Sequence, residues 1–211
     1  MSVMRTIETE DCVAEGSAWL AKQEPRFAKV IEQSGLPPLR RREAGFRALL
    51  GAIVSQQLSV AAADSVWKKV EAAGLDTENA VCAASTESLR NCGLSGQKVR
   101  YARALAESRV EFASLESMTD EAVVERLTEI PGIGRWTAEI YVMFALGRAD
   151  VFAAGDLALR ESARLLFELP ERPSERELAE TARAWSPWRA VAARLLWSHY
   201  RDVKDREGVR A

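Results

Sequence analysis

Two short stretches of this chain carry residue types that could do chemistry. In Gly155-Asp156-Leu157 an acidic side chain stands where a helix would start. There it would accept backbone N–H groups at the positive end of a helix dipole, which favours the charged carboxylate. A fixed anion stabilises positive charge developing on a nearby carbon and orients or deprotonates an attacking water. A plain helix N-cap uses the same residue type and does no chemistry. Upstream, Ile130-Pro131-Gly132-Ile133-Gly134-Arg135-Trp136-Thr137-Ala138 reads as a tight turn between two helical segments within Leu127–Ala145. Gly132 and Gly134 permit positive φ and close backbone approach, and Ile133 between them would anchor the turn in the core. The second helix opens at about Gly134, so its unpaired N–H groups, with Arg135 and Thr137 beside them, face outward toward an anion. A DNA phosphate suits that cradle; a ligand-free helix connection is the plainer alternative. Together the two stretches point to an enzyme acting on a nucleotide.

Both stretches need helices to hold them, and nearly every segment has helical periodicity. Ala44–Gln57 sets Phe46, Leu49, Leu50, Ile53 and Val54 on one face. Ser59–Ala73 stops at Gly74, and Ser95–Phe112 aligns Val99, Ala102, Leu105 and Ala106. Thr119–Glu129 opens with an N-cap residue followed by acids, and Ser174-Glu175-Arg176-Glu177 has capping-box spacing. Pro187 is expected in the first turn of a last helix reaching about Val203, with a frayed polar tail after Asp202. Trp19 and Trp67 are expected in the core. Strand patterns are almost absent, so the expected fold class is all-α.

The 211 residues, 47% hydrophobic and 28% charged, have the balance of an ordinary soluble globular protein. No apolar run approaches the ~20 residues that cross a bilayer. The start, Met1-Ser2-Val3-Met4-Arg5-Thr6-Ile7-Glu8, lacks the apolar core of a secretory signal. Cys12, Cys82 and Cys92 have no metal-ligand spacing and read as reduced thiols of a cytoplasmic protein. The net charge of −2 argues mildly against nucleic acid, yet local patches bind where the total averages them away. Basic residues group at Arg40-Arg41-Arg42, at Lys98, Arg100 and Arg103, and from Arg183 to Arg194. Acids concentrate at Glu8, Glu10 and Asp11 and from Glu168 to Glu180.

The turn string resembles the helix-hairpin-helix of the base-excision DNA glycosylases, and Asp156 stands where that superfamily keeps its catalytic aspartate. Three further segments resemble its DNA-3-methyladenine glycosylase II branch. They are Ile53-Val54-Ser55-Gln56-Gln57-Leu58-Ser59, Gly93-Leu94-Ser95-Gly96-Gln97-Lys98, and Trp185-Ser186-Pro187-Trp188-Arg189 leading to Trp197. The similarity runs from about Phe46 to Tyr200, in the compact form without the extra N-terminal β-rich domain of larger members. It implies two packed helical lobes with an active-site cleft between them. Lobe 1 would cover about 43–148, with the helix-hairpin-helix at 127–145, and lobe 2 about 1–42 plus 149–211.

The resemblance also implies a reaction: hydrolysis of an N-glycosidic bond through an oxocarbenium-like sugar, with Asp156 as the catalytic carboxylate. It places Trp136, Trp197, Ile140 and Gln56 at the base pocket, Ile140 replacing an aromatic of the larger enzymes. Trp136 and Trp197 would stack on the everted base, an indole face attracting a cationic ring by ~0.5–2 kcal/mol, or else belong to the core. Gln57 would wedge into the gap left by the flipped base, or be a polar helix end. Lys98 and Arg189 would meet phosphates, or solvent. His199, the only histidine, is expected to be structural or solvent-facing rather than catalytic. Trp136 stands where bifunctional relatives carry a Schiff-base lysine, so no AP-lyase activity is expected. No cysteine follows Cys92, which excludes the iron–sulfur cluster of some relatives. No cofactor and no protein-held metal is expected, although a cation at the hairpin–phosphate contact is compatible with the turn. The implied partner is double-stranded DNA with damaged bases, engaged by a bacterial-type, cytoplasmic, nucleoid-associated monomer. The implied activity excises 3-methyladenine, and 7-methylpurines, to leave an abasic site in base excision repair. A same-fold enzyme for hypoxanthine, ethenoadenine or uracil, and a non-catalytic DNA-gripping module, stay open as alternatives.

Overall fold

Short polar residues set most helix starts in this chain. In the computed structural model, which describes residues 4–208, Ser59, Thr77, Ser85, Ser95, Thr119 and Ser174 each accept a backbone N–H at the head of a helix. Each such cap satisfies an orphaned donor and contributes about 1 kcal/mol. Residues 1–3 and 209–211, parts of the expected signal-free start and polar tail, lie outside the described residues.

Packing divides the chain into two compact units, Met1–Arg41 with Gly147–Ala211, and Arg42–Leu146. The first unit begins with α1 (Glu10–Gln23) and α2 (Pro25–Ser34). The second unit holds α3 (Phe46–Ser55), α4 (Val60–Ala72), α5 (Glu78–Ala83), α6 (Thr86–Asn91) and α7 (Gly96–Glu107). A 3-10 turn at Phe112–Ser117 then leads to α8 (Asp120–Thr128) and α9 (Arg135–Phe144). The unit's core gathers Leu49, Leu50 and Ile53 from α3, Val99 and Leu105 from α7, Leu127 from α8, and Val142 and Met143 from α9. Burying a side chain of this size contributes ~1.5–3 kcal/mol.

The first unit resumes with α10 (Leu157–Leu166), α11 (Glu175–Ala182), a 3-10 turn at Arg183–Trp185 and α12 (Arg189–Gly208). Its centre is aromatic. Phe27, Phe152 and Phe167 surround the Trp185 ring at 5.4, 5.5 and 5.9 Å. Gly16 lets α1 lie flush on Trp188, since a Cβ there would come within 2.7 Å of the ring.

The fold is all-α: among the described residues the only extended pairing is an isolated bridge between Thr6 and Arg148. No helix among them is long and apolar enough to cross a membrane. Several sequence expectations need correction. The helix expected over Ser95–Phe112 ends at Glu107, because Arg109 turns left-handed (φ 48°) and the chain dips to bury Val110. Pro187 lies outside the last helix, which opens at Arg189 after a cis Ser186–Pro187 bond and continues past Val203 to Gly208. Trp19 and Trp67 are half-buried; Trp185 and Trp188 are the deeply buried tryptophans. Trp67 stays at the surface beneath Arg47, whose guanidinium lies 5.5 Å from its ring.

Candidate active site

After α8 the chain reverses within a few residues. The N–H groups of Ile130 and Ile133 fold back onto the carbonyls of Leu127 and Ile130 at 3.1 and 3.0 Å. Gly132 has φ 94°, and a Cβ on it would meet Tyr101 Cγ at 2.3 Å, so only glycine fits. Ile133, 3% exposed, plugs the turn into the core as expected. The helix that follows starts on Gly134 with no side-chain cap, a feature that among α1–α11 only α3 shares. Its first-turn amides and the positive end of its dipole are therefore suited to an external anion, and Gly134, Arg135 and Trp136 are exposed around them. Thr137 is buried one turn in.

In the other unit, Asp156 is the N-cap of α10. The N–H of Leu159 donates to its Oδ1 at 3.0 Å, and Trp197 Nε1, from α12, donates to the same oxygen at 3.3 Å. Asp156 also donates its own N–H to Ala153 O and accepts from the N–H of Arg160, both at 3.0 Å. The half-buried carboxylate is thus fixed by main chain and indole together. The pairing of α10 with α12 is itself braced. Ser162 Oγ donates to Leu196 O at 2.7 Å and lies 2.9 Å from His199 Nδ1. The hydroxyl's single proton goes to Leu196, which makes His199 Nδ1 the donor in that bond. His199 thus helps tie α12 to α10.

The remaining candidates divide between exposed and committed side chains. Trp136 is 48% exposed, and Ile140 lies one turn further along α9 on the same stripe. Gln57 is exposed and left-handed at φ 56°, a conformation that costs a non-glycine residue ~1–2 kcal/mol. Leu58 and Val60 beside it are 40% and 80% exposed. Gln56, expected at the base pocket, turns its amide to Gly132 O at 2.8 Å.

The three cations expected at phosphates each have a partner within the protein. Arg135 forks onto Glu121 at 3.0 and 3.1 Å and gives Nε to Glu139 at 2.9 Å. The bonds to Glu121 raise the guanidinium's pKa and lower that of Glu121. Arg189 forks onto Asp150 at 2.7 and 3.0 Å, with Ser186 Oγ donating to the same carboxylate. Lys98 donates to Val54 O at 2.7 Å, and burial pushes its pKa down. The i,i+4 spacing of Arg135 and Glu139 made that one pairing readable in the sequence, but not the fork onto Glu121. Nothing local signalled Asp150, or Tyr101 against Gly132. Among the described residues no three His, Cys, Asp or Glu side chains are grouped to hold a metal ion. Cys12, Cys82 and Cys92 are free thiols.

Residues 50–187, which include the hairpin and Asp156, match the HhH-GPD superfamily of base excision DNA repair proteins. The chain belongs to that superfamily. DNA-3-methyladenine glycosylase 1 of Schizosaccharomyces pombe is 32% identical to it over 161 residues, 72% of this chain and 71% of that protein. The crystal structure of a DNA-3-methyladenine glycosidase from Bacillus halodurans superposes with a TM-score of 0.81 at 33% identity, covering 96% of this chain and 95% of that one. A 3-methyladenine DNA glycosylase of S. pombe in complex with abasic DNA gives 0.77 at 29% identity, covering 87% and 95%. The superfamily match stops at residue 187, so the indole that bonds Asp156 comes from α12, which lies wholly beyond it.

Proposed function

We propose that the protein is a monofunctional DNA glycosylase that excises alkylated bases, 3-methyladenine foremost and 7-methylpurines with it, in base excision repair. The observation that carries this reading is the Asp156 carboxylate, fixed through Oδ1 by Leu159 N–H and Trp197 Nε1 at the head of α10. The relatives named for 3-methyladenine support the choice of lesion. Double-stranded DNA would dock its backbone on the uncapped start of α9, and Gln57 would fill the gap left by the everted nucleotide.

The chemistry balances without a cofactor. The C1′–N bond of a cationic alkylpurine breaks, and its electron pair leaves with the base, which departs neutral. Positive charge passes to the sugar, where the anion of Asp156 stabilises it. A water then adds to C1′ and passes its proton to the Asp156 carboxylate, which returns it to solvent, leaving an abasic site. A leaving group already cationic needs little general acid, so the reaction can rest on the Asp156 carboxylate without a protonated histidine. Trp136 in place of a Schiff-base lysine leaves the strand uncut. The protein would act as a monomer.

Chromatography of bases freed from methylated duplex DNA tests the reading. Wild type is expected to release 3-methyladenine, and Asp156→Asn to release it at least about a hundredfold more slowly while still binding duplex. No release by wild type, from alkylated or from deaminated and ethenoadenine duplexes, would leave only a DNA-gripping module. Release confined to those other lesions would reassign the substrate.

A further inference from the structure

Carbonyls in the last turn of a helix lack intrahelical partners and carry the negative end of its dipole. At the end of α3, Val54 O receives the ammonium of Lys98 at 2.7 Å, reaching across from α7. The chain leaves α3 at that point for Gln56, left-handed Gln57 and exposed Leu58. A non-glycine residue holds such a conformation only where its surroundings over-determine it. Three contacts do so here: Lys98 on Val54 O, Gln56 Nε2 on Gly132 O at 2.8 Å, and Leu58 N–H on Ser55 O at 3.2 Å. Gly132 in turn rests on the ring of Tyr101, three residues after Lys98 on α7, and Gln97 Nε2 donates to the Tyr101 hydroxyl at 2.6 Å. One stretch of α7 therefore holds both the root of the Gln57 loop and the turn of the hairpin.

We infer that Lys98 is a positioning residue for base opening, fixing the loop that carries Gln57 in register with the hairpin that grips the backbone. The inference rests on the proposed glycosylase function. An ammonium bonded to a main-chain carbonyl and partly desolvated is turned inward, which agrees with its lowered pKa and sets it apart from a lysine held ready for phosphate.

The test compares single-turnover release of 7-methylguanine from two duplexes, one with cytosine opposite the lesion and one with an abasic analogue opposite, where opening is easier. Lys98→Met is expected to slow release about tenfold from the paired duplex and no more than about threefold from the unpaired one. The salt dependence of its duplex binding is expected to match wild type, whereas loss of a phosphate contact would lower that slope by about one. Equal slowing on both duplexes, a lowered salt slope, or no slowing would each overturn the inference. Should Lys98→Met fail to fold by circular dichroism, Gln56→Ala removes the loop's other side-chain tie and is expected to give the same pattern, with the same results against it. A wild type inactive on both 7-methylguanine duplexes would remove 7-methylpurines from the proposed function and overturn this inference with it, an outcome distinct from an active wild type matched by Lys98→Met.

Discussion

The indole N–H of Trp197 lies 3.3 Å from Oδ1 of Asp156, so the side chain assigned by resemblance to the base also holds the carboxylate. Trp197→Phe separates the two roles, because it keeps an aromatic face and removes the donor. A lost hydrogen bond to a charged group is worth ~1.5–3 kcal/mol. We expect kcat to fall at least about tenfold with KM little changed. A change confined to KM would make Trp197 a stacking surface alone.

Asp156 is cap and candidate catalyst at once, and two substitutions separate these. Asparagine caps a helix as well as aspartate does, so Asp156→Asn should melt with wild type while base release drops by roughly a hundredfold to ten-thousandfold. Asp156→Ala loses the cap too, about 1 kcal/mol, and should melt some 2–4 °C lower. Retained activity in the asparagine variant would remove the carboxylate from the reaction.

The two hairpin glycines should respond differently to alanine. Gly132→Ala drives a methyl into the Tyr101 ring at a positive φ and should destabilise the fold by about 1–3 kcal/mol. Gly134 has φ −83° and open space around its would-be Cβ, so Gly134→Ala should fold normally. Its methyl would stand among the first-turn amides of α9 and weaken duplex binding. Thermal unfolding and a fluorescence binding titration read the two effects separately.

Glu161 is held by Arg164 at 2.7 Å and Arg172 at 2.8 Å, and these bonds lower its pKa from 4.5 to about 2. A carboxyl whose pKa drops on folding stabilises the fold above its unfolded value, and that contribution is lost as pH falls through the folded one. The melting temperature should therefore decline between about pH 4.5 and 2 by more in wild type than in Glu161→Gln. Parallel declines would show that the pair contributes nothing.

Product DNA should stay unnicked until alkali or heat cleaves the abasic site, because the residue after Arg135 is Trp136 and carries no amine. Denaturing gels run with and without alkali decide the point. Prompt scission by pure protein would require an amine nucleophile elsewhere.

Local signals in the sequence reached the helices and the hairpin. Thr119, Ser174 and Gly74 marked real ends because caps and left-handed stops act within one turn of chain. Ile133 and Gly132 were readable for the same reason. The loop after Glu107 was not, since burial of Val110 is decided by neighbours distant in sequence. The cations show the limit most clearly. Arg135, Arg189 and Lys98 have side chains long enough for phosphate, but Glu121, Asp150 and Val54 O claim them through contacts that no spacing rule announces, apart from the Glu139 pairing.

A cradle made of peptide dipoles at the start of α9 carries no formal charge and no titratable proton. Its hold on a phosphodiester would be indifferent to acidification within the folded range and to chemical blocking of surface amines. It would also let a chain of net charge −2 hold a polyanion through its main chain, and it would tie that ability to a backbone shape that few residue types can adopt.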